Sequence, residues 1–361
     1  MTYDIAIVGA GIAGASLAAA IGAQARVLLL ESEDQAGYHA TGRSAAFWSE
    51  TYGGPGIQPL TSASEAPLRD GGFLAPLGSL HIGRAEDAAR VDAFLAAFEG
   101  TAVPLERVDP ADHIPGLRPE WTLGVSEPSC AYIDVAALHA ACLATVRRTG
   151  GTIATRAGLT GATRADGVWT IETESGTHRA RLLVDAAGAW ADRVAQRAGA
   201  APLGIQPYRR TIAQIRTDPP STPALPHVAD IAGCFYFKPE SGGRLWLSPH
   251  DETPVDPCDA APEELDVAIA IDRFEGVVDW RVAAVERSWA GLRSFAPDRL
   301  PVYGFDPAVP GFFWCAGQGG FGIQTAPAGA AVAASLLLGT PLPEGFEAVD
   351  PERYGPGRFL S

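Results

Sequence analysis

The sequence predicts a two-lobed α/β fold, in which a Rossmann-like domain on a parallel sheet joins a second α+β domain on an antiparallel sheet. Three observations carry that expectation. The apolar run Tyr3–Val8 leads through Gly9-Ala10-Gly11-Ile12-Ala13-Gly14 into an alanine-rich helical stretch. A second glycine-dense loop, WCAGQGGFGIQTAP at 314–327, follows another apolar run near the far end. Between them, residues 205–290 are rich in prolines and aromatic strands and lack the Ala/Gly bias of the two ends.

Taken in order, the opening reads as a βαβ unit: a buried strand, the glycine turn, a helix over 15–23, and a second buried strand, RVLLLE at 26–31, that ends in an acid. A strand is expected at 78–84 (GSLHIGR), a helix over 86–98, and a loop with one helical turn at 106–117. Helical spacing of Val135, Leu138, Ala141, Cys142, Thr145 and Val146 predicts a helix within 133–149, with Asp134 as its N-cap. Short strands at 152–155, 168–173 and 178–181 read as a three-stranded excursion that returns to the main sheet through the buried run at 182–188. In the second lobe CFYFKP and RLWLSP are strands and 262–274 is a helix; 311–316 is then a strand and 326–338 a small-residue helix. The division expected is 1–75, 128–204 and 288–361 for the first domain, and 76–127 with 205–287 for the second.

Composition narrows the function. The chain has 361 residues, 47% of them apolar, which suffices for two cores. With 27 basic against 42 acidic residues the net charge is −15, which repels polyphosphate and argues against nucleic acid. Lys238 is the sole lysine, so nearly all positive charge is arginine. Five scattered cysteines form no CxxC pair, which points to reduced thiols and no metal site. No basic, continuous apolar leader opens the chain, and no run reaches the ~20 apolar residues of a membrane span. A cytoplasmic protein with at most peripheral membrane contact is expected, as a monomer or homodimer.

The glycines at 9, 11 and 14 suit a tight turn, close approach of pyrophosphate to backbone, and close packing of helix on strand. The helix N-terminus then faces the phosphates with free N–H groups. Glu31, 17 residues after Gly14, ends the next strand where a carboxylate accepts both ribose hydroxyls and disfavours a 2′-phosphate. The unit serves NAD and FAD alike. Flavin is favoured by HATGRSAAFW, which places Thr41, Gly42, Arg43, Ser44, Ala45 and Ala46 soon after the acid, and by LLVDAAGAWAD, which brings Gly188 and Trp190 to the same sheet edge.

These segments, together with LGIQPYRR, FYFKP, WAGLRSF and GFFWCAGQGGFGIQT, resemble the D-amino-acid oxidase-like FAD superfamily over nearly the whole chain, and within it most closely the bacterial D-arginine dehydrogenase branch. The resemblance implies a glutathione-reductase-type FAD domain and hydride removal from the α-carbon of a D-amino acid to flavin N5. The imino acid then hydrolyses to a 2-oxo acid and ammonia. It also implies that the second glycine loop wraps a non-covalent isoalloxazine through Gly317, Gly319, Gly320, Phe321, Gly322, Ile323 and Gln324. Cys315, inside the preceding strand, is not expected to attach the flavin.

Arg210 and Arg293 occupy the family's carboxylate-binding positions, where the planar guanidinium matches two oxygens. Tyr52 and Tyr236 match pocket hydroxyls, the Gly320 carbonyl is placed to hold the amine, and Arg209 is expected to be structural. Phe47, Ser49, Ser79 and His227 are expected to line the side-chain pocket. Ser79 stands where the D-arginine enzyme has an acid, and Phe47 where it has a histidine, so uncharged D-amino acids are expected in place of D-arginine. The electron acceptor is expected to be a quinone or O₂. Oxidation of an N-methyl amino acid, glycine or a 2-hydroxy acid is the alternative chemistry, and a non-catalytic flavin-binding subunit the alternative of another class.

Overall fold

In the computed structural model, which describes residues 1–359, the glycine-bearing ends of the chain meet in one sheet. Strands Thr152–Ala154, Val27–Leu30, Tyr3–Val8, Gly176–Asp185 and Phe312–Ala316 lie side by side and parallel. Their residues paired in parallel are apolar except Thr152 and the buried Asp185, because helices Ile12–Ile21, Val135–Arg148 and Ala326–Leu338 and other elements cover both faces. Parallel pairing has one consequence for function. Glu31, Gly9, Asp185 to Gly188, and Gly317 all emerge at the same carboxyl edge, the place where such sheets bind ligands.

The excursion differs in detail from the expectation. Strand 152–154 pairs in parallel with Val27–Leu30 and belongs to the main sheet. The antiparallel excursion comprises Leu159–Ala165, which the sequence did not suggest, Val168–Thr173, and the first half of Gly176–Asp185. Its first strand, LTGATRA, carries Gly161 and few large apolar residues, so it shows little β-propensity of its own. The segments at 178–181 and 182–185 form one continuous strand.

The second sheet is ten-stranded and, among the described residues, antiparallel except where His227–Asp230 runs parallel to Ser79–Arg84. That pair joins the two separate insertions into one sheet. A strand at Glu106–Val108 lies where a loop was expected, held by pairing with Trp121–Glu127. The long strand Arg281–Phe295 stays in this sheet past residue 288. Its core gathers Leu80, Ile82, Ile215, Phe237, Leu247 and Phe274 from both insertions.

Asp134 caps Val135–Arg148 as expected, its carboxylate accepting the Ala137 N–H at 2.9 Å. Asp134→Ala should destabilise the protein by about 0.5–2 kcal/mol, read as a lower urea midpoint with unchanged slope. An unchanged midpoint would show that the cap contributes nothing.

Candidate active site

The glycines of the first turn are explained by what a methyl group would meet. At Gly9, where φ is +103°, a Cβ would lie 2.4 Å from the Ala186 carbonyl oxygen, and at Gly14 it would lie 1.9 Å from the Gly9 carbonyl oxygen. Both contacts are with backbone, so helix, turn and neighbouring strand approach one another only without side chains. Gly11 faces a softer neighbour, the Thr41 hydroxyl at 3.2 Å. That hydroxyl accepts the Ile12 N–H at 2.9 Å and ties the turn to the 39–48 segment. Glu31 is buried, and its carboxylate accepts the Ala10 and Glu33 N–H groups at 3.1 Å each.

A cavity of about 530 Å³ opens at this sheet edge. Its wall includes, from the first turn and the following segment, Gly9, Gly11, Glu31, Thr41, Arg43, Ser44, Ala45 and Ala46. Gly188 and Trp190 continue it, and the distant loop adds Gly319, Gly320, Gly322, Ile323 and Gln324. Phe47, Tyr52, Arg210, Tyr236 and Arg293 complete the far end. The two glycine-rich loops therefore border one space.

Seven expected residues lie off this wall. Gly14 packs helix on turn, and Gly42 sits where a Cβ would be 2.7 Å from the Gly37 carbonyl. Gly317, with φ +72°, turns the chain out of its strand. Phe321 points inward and props Tyr52, ring centroids 5.0 Å apart. Ser49 donates its hydroxyl to the buried carboxylate of Glu127 at 2.8 Å. Ser79 and His227 bond each other at 2.9 Å behind Phe47, whose ring lies 4.2 Å from that of His227. Burial holds His227 well below the usual imidazole range, with His81 and Lys238 adding to the effect, so it is neutral.

Arg43 lines the cavity, and its guanidinium reaches across to Asp259 and the Ala260 carbonyl and so clasps the second lobe. Arg209 has no part in the cavity; it pairs with Glu263 and Asp266. Gln324 ties the distant loop to the 49–61 segment, donating to the Tyr52 carbonyl at 3.1 Å and Thr61 Oγ1 at 2.9 Å.

The arginine pair defines the chemistry of the far end. Arg210 donates from Nε to the Asp251 carbonyl at 2.9 Å, and Arg293 from Nη2 to Glu252 at 2.6 Å. Arg210 Nη2 and Arg293 Nε are shut off from solvent and, among the described residues, have no hydrogen-bond partner. Burial and the neighbouring Arg293 lower Arg210 from the ordinary guanidinium value. For Arg293 burial acts the same way, but Tyr52 and Glu252 outweigh it and raise the value. Burial pushes the Tyr236 phenol up to about 12 against the pull of Arg210, so it remains a neutral donor. Gly320 is pressed between them: a Cβ there would lie 2.6 Å from Tyr52 Oη and 3.1 Å from Arg293 Nη1.

Glu252 escaped the sequence reading. It also receives Arg299 at 2.8 Å and lies 3.8 Å from Arg210 Nη2. Nothing in HDETP marks it, since its partners come from distant strands. The wall at Ala157 to Thr160, beside Glu174, Arg193 and Arg197, was likewise not foreseen, because it adjoins the strand the sequence did not suggest.

Comparison with known proteins agrees with this geometry. A family model described as "FAD dependent oxidoreductase" matches residues 4–336. Human mitochondrial dimethylglycine dehydrogenase is 27% identical over 98% of this chain, which spans only 44% of that protein's length. Among solved structures, glycine oxidase from Geobacillus kaustophilus superposes with a TM-score of 0.81 at 24% identity, over 94% of this chain and 95% of that one. L-proline dehydrogenase from P. horikoshii gives 0.86 at 20% identity, over 99% and 98%.

Proposed function

The chain belongs to the FAD-dependent oxidoreductase family that the match over residues 4–336 defines, and on that premise we propose that it oxidises the C–N bond of an uncharged α-amino acid held by its carboxylate. One observation carries the reading. Arg210 and Arg293, with side chains only 6% and 11% exposed, both line the far end of the cavity bordered by Gly319 to Gln324. Two guanidinium groups held close together out of water, at 3.8 and 2.6 Å from Glu252 Oε1, favour an anion at the cavity end, and a planar carboxylate matches their donors.

The residues present fit FAD. Backbone at Gly9 and Gly11 admits a pyrophosphate, Glu31 Oε2, which accepts only the Ala10 N–H, has a lone pair left for a ribose hydroxyl, and Gly319, Gly320 and Gly322, where a Cβ would press on Phe295, Tyr52 and Gln318, let the loop backbone border the cavity. When bound, FAD supplies the hydride acceptor. Attachment is proposed to be non-covalent: Cys315 lies off the cavity wall, and burial pushes its thiol up to about 12. Flavin released by denaturation would support this.

The chain supplies position and charge. Arg210 and Arg293 hold the carboxylate, and the Gly320 carbonyl accepts a hydrogen bond from the amine. Desolvation beside two cations lowers the ammonium pKa, so the amine sheds its proton without a dedicated base. Phe47 and Tyr236 exclude water from the α-carbon. Held by these groups, the α-carbon would be oriented toward the hydride acceptor, and orientation alone supplies much of such a rate. The imine produced hydrolyses in water to a 2-oxo acid and ammonia.

An uncharged side chain is favoured because the acids on the wall, Glu31, Glu33 and Glu174, lie toward Ala157 to Thr160, while Glu252 is engaged by arginines. The D configuration rests on the sequence resemblance; the compared relatives act, by their names, on dimethylglycine, glycine and L-proline. Anaerobic mixing with D-amino, L-amino, N-methyl and 2-hydroxy acids decides it. The purified protein should be yellow, with a band near about 450 nm that uncharged amino acids of one class bleach. A colourless protein, or bleaching by hydroxy acids alone, would overturn the proposal; bleaching by nothing would favour the non-catalytic alternative. Reoxidation in air against reoxidation by a quinone then identifies the acceptor.

A further inference from the structure

Glu127 lies away from the cavity wall at the end of strand Trp121–Glu127, opposite Ser79 in the antiparallel sheet, and its side chain is wholly buried. A buried carboxylate persists only where donors surround it. Here the donors come from consecutive residues of another segment. Glu127 Oε2 accepts the Ser49 hydroxyl at 2.8 Å and the Thr51 hydroxyl at 2.6 Å; Oε1 accepts the Glu50 N–H at 2.7 Å and the Thr51 N–H at 3.5 Å. His81 Nε2 stands 3.6 Å from Oε2.

The next residue is Tyr52. Its N–H returns to the Ser49 carbonyl at 3.3 Å, and its hydroxyl meets Gly320 beside Arg293. Gln324 holds the same turn from the opposite side, accepting the Ser49 N–H at 3.3 Å. The turn is therefore pinned from both directions immediately before the side chain that reaches the anion site.

We propose that Glu127 is a positioning residue for the reaction, fixing the turn at 49–51 and so setting the Tyr52 hydroxyl against the substrate carboxylate. This rests on the reading of Tyr52 as a substrate contact. The arrangement uses four acceptor sites of a carboxylate. Glutamine has the same shape but one acceptor oxygen: kept on the Glu50 and Thr51 N–H groups, it turns its amide N–H₂ onto the Ser49 and Thr51 hydroxyls, which must then reverse from donors to acceptors. Glu127→Gln thus changes the turn's hydrogen bonding while keeping its volume.

The test uses flavin-loaded wild type, Glu127→Gln, Tyr52→Phe and the double variant, each titrated with benzoate and followed by the shift of the flavin band, with thermal melting in parallel. Glu127→Gln and Tyr52→Phe should each weaken benzoate about five- to tenfold, and the double variant should be no weaker than Tyr52→Phe, since groups acting through one another are not additive. Thr51→Val, which removes one donor, should give a smaller loss that also vanishes in the Tyr52→Phe background, and it serves if Glu127→Gln does not fold. Independent, multiplying losses would overturn the proposal, as would wild-type affinity in Glu127→Gln. Wild-type affinity in Tyr52→Phe alone would instead refute the reading of Tyr52, and the positioning role would fall with it.

Discussion

Arg293→Met should weaken binding of the substrate carboxylate by about 2–5 kcal/mol, some 30- to 5,000-fold. The residue lines the far end of the cavity with Arg210, and its Nη2 donates to Glu252. Methionine fills comparable space, so the loss reports charge and hydrogen bonding more than a cavity. The substitution also leaves Glu252 with Arg299 as its remaining close partner, so an acid stays beside the anion site and adds repulsion. Arg293→Lys should fall between the two, since it restores charge without the planar fork. Benzoate affinity and the Michaelis constant of the substrate found in the panel provide the measurements. Unchanged values for Arg293→Met would remove the arginine from the site.

Gly14→Ala should yield protein without flavin and with a markedly lower melting temperature. The added methyl would sit 1.9 Å from the Gly9 carbonyl oxygen and 3.2 Å from Ile7 Cγ2. Core overpacking typically costs about 1–3 kcal/mol when side chains can shift. Here the nearest atom is backbone, so the helix must lift from the strand and carry the phosphate-facing turn with it. Gly11→Ala provides the contrast. Its methyl meets only the Thr41 hydroxyl at 3.2 Å, so the fold should survive while flavin binds more weakly through the lost backbone approach. Equal effects of the two substitutions, or a yellow Gly14→Ala protein melting like wild type, would contradict these assignments.

The contrast between Gly14 and Glu127 shows what was legible in the chain. The three glycines, the acid at Glu31 and the apolar strands are local patterns, each dictated by the geometry of one βαβ unit, and the structure places them accordingly. Arg210 and Arg293 were legible through the resemblance of their flanking segments. Glu252 and Glu127 were not, because their roles come from partners far along the chain: Arg299 lies 47 positions from Glu252, and Thr51 lies 76 from Glu127. The strand Leu159–Ala165 was missed for a related reason, its pairing with Val168–Thr173 compensating for weak local preference. Ser79 and His227 match the side-chain pocket in sequence but stand behind Phe47 in space.

The most direct measurement is a crystal structure of the flavin-loaded protein with benzoate. Density should show the isoalloxazine between the Gly9 to Gly14 turn's sheet edge and the Gly319 to Gln324 segment, and the benzoate carboxylate on the Arg210 and Arg293 guanidinium groups. Benzoate bound away from both arginines, or a flavin that leaves either glycine-rich segment uncontacted, would contradict the account.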